Sequence, residues 1–148
     1  RPHHNIGTVE GRVCDMPGNL EEGLAMTALV QSLVKTLSDM IDNGAYQHDC
    51  HPMMVRQNKW RAARFGTHAK LVNSFTYEVE SLGLVVNALV EKLSPTAEQL
   101  GCLNHLERAR AMATAPSWAD KQLAILDKTG DPREVVRQLI SQSRMSAS

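Results

Sequence analysis

The stretch "GTVEGRVCDMPGNLEEGLAMTALVQSLV", Gly7 to Val34, decides the fold of this chain. Its first nine residues read as a β-strand. Side chains alternate across a strand, so Thr8, Glu10, Arg12 and Cys14 share one face while Val9 and Val13 share the other. "DMPGN" then reads as a turn. Asn19 takes the N-cap position with Glu22 at N3, a variant of the capping box. From there Leu20, Leu24, Ala28, Leu33, Val34, Leu37 and Ile41 recur at helical spacing, and Gly44 is a stop. The pattern predicts a long, largely buried first helix, with the apolar face of the strand packed on it. A single short strand cannot satisfy its own backbone groups. Its sheet partners are therefore expected in sequence that this chain lacks, or in another subunit.

Downstream the pattern is helical. Residues 45–51 form a connection, and Pro52 suits the first turn of a second helix that ends at Gly66. Residues 67–80 lack a helical period; "SFTYEVE" alternates weakly, as a β-hairpin arm or a loop. A third helix is expected from about Ser81 to Leu93, with Ser94-Pro95 breaking it and starting a short helical turn to Gly101. "CLNHLERARAMATA" gives another helix. Ser117 with Asp120 caps a fifth, and Asp131-Pro132 with Glu134 opens a last one. The tail "RMSAS" is expected to fray. The fold class is thus mainly α, with a short N-terminal β-strand.

The totals narrow the function. The chain has 148 residues, of which 43% are hydrophobic and 22% charged, values that fit a folded core rather than a disordered chain. Lys+Arg and Asp+Glu are 16 each, so no bulk field draws nucleic acid or an anionic membrane. No apolar run reads as a membrane span, since "GLVVNALV" is cut by Asn87 and followed by Glu91 and Lys92. The cysteines Cys14, Cys50 and Cys102 are odd in number and widely spaced, which argues against a disulfide framework and fits a reducing cytoplasm.

Two constellations carry candidate chemistry. On the strand, Glu10 and Arg12 set a carboxylate beside a guanidinium. A carboxylate is a hard oxygen ligand suited to Mg²⁺, and an arginine is a planar phosphate clamp. The spacing alone favours a plainer reading, an exposed strand face with a cross-strand ion pair, because E-x-R is short and common. In "NKWRAARFG", residues 58–66, Arg61 and Arg64 lie three apart on one helix face with Asn58 and Lys59 nearby, while Trp60 sits off that face and packs. This is either an anion site or a solvated basic face; by pattern alone the solvated face is favoured. "HDCH", residues 48–51, holds four adjacent metal-ligand types, but no second ligand pair at zinc spacing accompanies them. His51-Pro52 reads as a helix start.

Three segments together carry a resemblance. "RPHHNIGTVEGRVCDMPGNLEEGLAMTALVQSLV" resembles the R-P-H…G-T-x-E-x-R-V-x-D segment of the glutamate–cysteine ligase type 2 (carboxylate–amine ligase) family, within the glutamine-synthetase-like superfamily. "NKWRAARFG" resembles its N-x-W-x-A-x-R-x-G helix, and "ADKQLAILDKTGDPREVVRQLI" its closing segment. The resemblance implies an α+β fold in which helices back a curved antiparallel sheet that holds ATP and Mg²⁺ (or Mn²⁺). It implies an ATP-dependent joining of the γ-carboxylate of glutamate to the amine of cysteine, or of another carboxylate to another amine, in the cytoplasm. By position, Glu10 would be the metal ligand and Arg12 the catalytic phosphate-binding residue. Arg1 and His3, at matched positions before the strand, and Asn58, Arg61 and Arg64, in the helix motif, would contribute to ATP or substrate binding. Gly11 departs from the aliphatic residue usual inside E-x-R.

On this reading residues 1–148 are the C-terminal helical part of a single catalytic domain, with the active-site strand in 1–15 and the helical region in 19–144. The partners implied are small-molecule substrates and a missing N-terminal part of the same protein; a homodimer is admitted, and neither nucleic acid nor membrane is expected. The isolated chain should be inactive. The competing reading is a non-catalytic helical binding or dimerisation module.

Overall fold

A computed structural model describes residues 2, 3, 5, 8, 9, 11, 14, 17–45 and 50–143, with the backbone alone at 2, 3 and 9. The chain begins with two two-residue strands, β1 (Pro2–His3) and β2 (Thr8–Val9), paired antiparallel with Pro2 opposite Val9 and His3 opposite Thr8. This corrects the expectation that the strand finds no partner in the chain: Pro2 and His3 of the lead-in pair with it. Two rungs are still far short of a self-supporting sheet.

Helix α1 runs Leu20–Asp42. Asn19 caps it as expected, its Oδ1 accepting from the Glu22 N–H at 2.8 Å. The capping box is only half built, because the Glu22 carboxylate accepts the indole N–H of Trp118 instead of returning to the cap. Asn43 and Gly44 end the helix, Gly44 at φ +70°, where a side chain would be strained. Helix α2 spans Pro52–Phe65, its N-cap His51 accepting from the Met53 N–H through Nδ1 at 3.2 Å. That bears out the reading of His51-Pro52 as a helix start.

A 3-10 turn, Gly66–His68, leads into a hairpin of β3 (Lys70–Val72) and β4 (Val79–Ser81), in register Lys70↔Ser81, Leu71↔Glu80 and Val72↔Val79. Of the two options for residues 67–80, the hairpin arm is the one adopted. Asn73 builds its turn, with Oδ1 accepting from the Phe75 N–H at 2.8 Å and Nδ2 donating to Glu80 at 2.8 Å.

Helix α3 runs Leu82–Gln99 without interruption, so Pro95 does not break it. Both sides of the proline are anchored: Val90, Leu93 and Ala97 are all fully buried. The Ser94 hydroxyl also donates to the Val90 carbonyl at 2.7 Å. Burial of one continuous face offsets the hydrogen bond that the proline ring removes. Helices α4 (Leu103–Met112), α5 (Trp118–Thr129) and α6 (Pro132–Ser143) follow. The capping box at Ser117 and Asp120 is complete, and α5 ends on Gly130 in the left-handed region.

The core lies where α1, α3 and α4 meet: Ala28, Val90, Leu93, Ala97, Leu106 and Ala109. Three of the six are alanines, which lets the helix backbones approach closely. Leu93 and Leu106 each contribute roughly 1.5–3 kcal/mol by burial. Thr36 and Thr96 share a hydroxyl hydrogen bond of 2.8 Å across the α1–α3 seam. Helices α5 and α6 pack on each other beside this core.

Two expectations for α1 are corrected. The helix is long, but of its residues only Ala25, Ala28 and Ser32 are buried, while Leu20, Val34, Leu37 and Ile41 are exposed. It is also long and apolar enough, by length and composition, to cross a membrane, with a mean hydropathy of 1.2 over its best window. In the sequence the run "GLVVNALV", in α3, stands out, while α1 is passed over because its apolar residues are interleaved with polar ones rather than run together.

Candidate functional site

Of the segment that carries E-x-R, Thr8 and Val9 form β2, while Gly11 and Cys14 lie outside any strand, so the β-strand expected over Gly7–Asp15 is shorter than read. Thr8, Gly11 and Cys14 are exposed, and nothing lies within 4 Å of a Cβ placed on Gly11. Glu10, Arg12 and Arg1 lie outside the described residues, as do the side chain of His3, placed opposite Thr8 in the ladder, and His48 and Asp49 of the "HDCH" loop. Among the described residues, no three His, Cys, Asp or Glu side chains gather to hold a metal ion. Cys14, Cys50 and Cys102 are free thiols.

The helix motif on α2 is fully described, and its residues divide. Asn58 faces the hairpin: its Nδ2 donates to the Val72 carbonyl and its Oδ1 accepts from the Val72 N–H, both at 2.8 Å. A side-chain amide here mimics a strand rung and pins β3 to α2. Arg61, one turn on, donates from Nη1 to the Lys70 carbonyl at 3.0 Å, while its Nε is buried without a partner among the described residues. Arg64 is exposed. The face read as an anion site therefore has two of its polar groups on the β3 backbone, and Arg64 and Lys59 are the cations left toward solvent. Trp60 does not pack on the core; it is exposed and meets Phe65 edge-to-face at 5.9 Å.

Two cavities flank these elements. One, of about 520 Å³, opens between α2, the hairpin and α3, with Asn58, Lys59, Leu71, Asn73 and Glu80 among its walls. The other, of about 370 Å³, lies where the start of α1, the 3-10 turn, the end of α4 and the start of α5 converge. Its walls carry a cluster that sequence reasoning did not find. Trp118 lies against Gly18 so closely that a Cβ there would collide with the ring. Its indole N–H donates to Glu22, and the Lys121 ammonium sits 3.7 Å from Glu22 and 4.4 Å over the Trp118 ring centroid. Arg108 reaches Glu21 at 3.3 Å. The Thr67 hydroxyl, at the same cavity, is buried without a partner among the described residues. The one sequence signal for this cluster is a tryptophan in the first turn of a well-capped helix.

Comparison with known proteins fits the motifs. Residues 1–139 match the model of glutamate-cysteine ligase family 2 (GCS2). Among relatives, a protein of Gloeobacter violaceus is 33% identical over 139 residues, covering 94% of this chain and 37% of its own length. One of Clavibacter sepedonicus is 37% identical over 145 residues, covering 97% and 38%. One of Sorangium cellulosum is 33% identical over 145 residues, covering 98% and 39%. Each of the three carries the name "Putative glutamate--cysteine ligase 2". The chain thus spans less than two-fifths of the length of these relatives. With the family model matched along nearly its whole length, the chain belongs to glutamate–cysteine ligase family 2.

Proposed function

We propose that this chain is the C-terminal part of an ATP-dependent carboxylate–amine ligase that joins the γ-carboxylate of glutamate to the amine of cysteine. The observation that carries the reading is the family match, which runs from residue 1 and so takes in the E-x-R strand, together with the ligase names of relatives more than twice as long. A carboxylate is a poor electrophile; ATP supplies the phosphoryl group that turns it into an acyl phosphate open to attack by an amine. Arg12 stabilises the charge that gathers on the transferring oxygens, with a planar cation suited to a phosphoryl group. Glu10 supplies one hard oxygen donor for Mg²⁺ or Mn²⁺, and the remaining donors come from outside this chain. Arg1 and His3 precede the same strand and line the same site. On α2, Asn58 and Arg61 position the hairpin, and Arg64 is the residue of the motif best placed to meet an anionic substrate group. The isolated chain is inactive, and the whole enzyme works in the cytoplasm.

The test uses the full-length polypeptide with glutamate, cysteine and Mg-ATP, following γ-glutamylcysteine and ADP. Arg12→Ala lowers kcat by about 10²-fold or more. Glu10→Ala does the same and raises the Mg²⁺ concentration needed for half-maximal rate. Near-normal turnover in both variants sinks the site assignment. Absence of product from the wild type with these substrates, but ADP release with another carboxylate and amine, keeps the reaction class and changes the substrates.

A further inference from the structure

The cavity of about 370 Å³ between the start of α1, the 3-10 turn, the end of α4 and the start of α5 has more hydrogen-bond donors than acceptors in its walls. Its volume falls in the usual range of small-molecule sites, roughly 300–1,000 Å³. The Thr67 hydroxyl lines it, buried and without a partner among the described residues. The Lys121 ammonium carries three donors, yet the Glu22 oxygen beside it is 3.7 Å away, longer than a hydrogen bond. Arg108 Nε lies 3.3 Å from Glu21, and its two Nη groups have no partner among the described residues. The acceptors are spent. Glu22 already takes the Trp118 indole N–H, Asn19 Oδ1 takes the Glu22 N–H, and the Ser117 hydroxyl is held by Asp120. The rest of the lining is largely apolar, with Met112, Pro116 and Trp118.

We infer that this cavity is a binding site for a small organic monocarboxylate with an apolar body. An ionised carboxylate only accepts hydrogen bonds, through two oxygens, and so matches the unused donors of Thr67, Lys121 and Arg108. Its apolar body is sheltered by Met112, Pro116 and the Trp118 ring. Glu21 and Glu22 offset the two cations, so a single negative charge is favoured over a dianion such as phosphate. Glutamate, the carboxylate of the proposed reaction, suits the lining poorly, because its second carboxylate would be desolvated against an apolar wall. The site is therefore read as taking a different carboxylate, and it stands independently of the ligase reading. A ligand held there bridges α1, the 3-10 turn, α4 and α5, so it stabilises the fold by mass action.

The test titrates hexanoate calorimetrically into the full-length polypeptide, with hexanol and inorganic phosphate as comparisons. Hexanoate is expected to bind at least about tenfold more tightly than either and to raise the Tm as its concentration rises. Thr67→Val keeps the side-chain shape and deletes the hydroxyl; Arg108→Gln alters a side chain that is 56% exposed, where folding is not at stake. Each should weaken hexanoate by about tenfold and leave any glutamate binding unchanged. Thr67→Val should also leave the ligand-free Tm no lower, since its hydroxyl has no partner to lose. Three results overturn the site: no hexanoate binding at millimolar concentration, binding of hexanol or phosphate as tight as hexanoate, or hexanoate affinity unchanged in both variants. A wild-type protein that binds hexanoate in this way but makes no γ-glutamyl product removes the ligase reading and leaves the site standing.

Discussion

Asn58 and Val72 are joined twice, amide N–H to carbonyl and backbone N–H to amide oxygen, each at 2.8 Å. A single side chain on α2 thereby completes the outer edge of β3. Asn58→Ala leaves both Val72 groups without a partner in a half-buried position. Each such group costs about 1–3 kcal/mol, so a loss of roughly 2–6 kcal/mol is expected in denaturant unfolding. Asn58→Asp keeps the acceptor for the Val72 N–H and sets an oxygen against its carbonyl, so it destabilises as well. A residue that served a ligand alone would leave the unfolding midpoint unchanged on truncation.

The contact of Trp118 with Gly18 ties the start of α5 to the turn that leads into α1. Gly18→Ala places a methyl where the ring lies, which forces the indole away from Glu22 and Lys121. Overpacking of this kind costs about 1–3 kcal/mol. In a Trp60→Phe background, which leaves Trp118 as the remaining tryptophan, the emission maximum should shift to the red as the ring gains solvent. Trp118→Phe keeps the stacking and loses only the N–H donor. It should cost less, roughly 1 kcal/mol, and unfreeze amide exchange at the first turn of α5 before that of α3.

Asp120 gives the C-terminal helices a pH dependence of known sign. The Ser117 hydroxyl donates to its carboxylate at 2.7 Å and the Ser117 N–H at 2.8 Å. These bonds, with a smaller pull from His68, hold its pKa below the usual carboxylate range. A folded-state value depressed below the unfolded one adds stability that is fully present above the unfolded value and is lost as pH falls through the folded one. Asp120→Asn removes that contribution. The difference in Tm between wild type and Asp120→Asn should therefore be constant from neutral to mildly acidic pH and close progressively in strong acid.

Local chemistry was the legible part of this fold. Asn19, Pro52, Ser117–Asp120 and Pro132 mark helix starts, because caps act within one turn of the chain and need no tertiary partner. Pro95 misled for the opposite reason. A proline's local cost was outweighed by burial of Val90, Leu93 and Ala97, which no local rule sees. The capping-box reading of Glu22 failed likewise, since its carboxylate goes to Trp118, ninety-six residues away in sequence. Leu20, Val34, Leu37 and Ile41 on α1 read as buried because periodicity reports an apolar face without saying what lies against it. In the candidate site, pattern placed Asn58, Arg61 and Arg64 together; which of them the hairpin would occupy depended on β3, whose position the sequence did not reveal.

Gly11 stands between Glu10 and Arg12, where the family resemblance leads to the expectation of an aliphatic residue, and the space around it is open. Its φ lies outside the left-handed region, so no backbone strain demands glycine, and a Cβ would meet nothing within 4 Å. Gly11 lies outside β2, and a glycine whose backbone needs no positive φ only adds conformational freedom to the unfolded chain. Gly11→Ala should therefore raise stability by about 0.4–1 kcal/mol, a Tm gain of about 1–4 °C. Measured in the full-length polypeptide, the sign of that shift has a second use. A gain means that the backbone is free of close neighbours at Gly11. A loss of 1 kcal/mol or more would mean that another backbone approaches the bare glycine there, beside the two residues proposed to hold metal and phosphate.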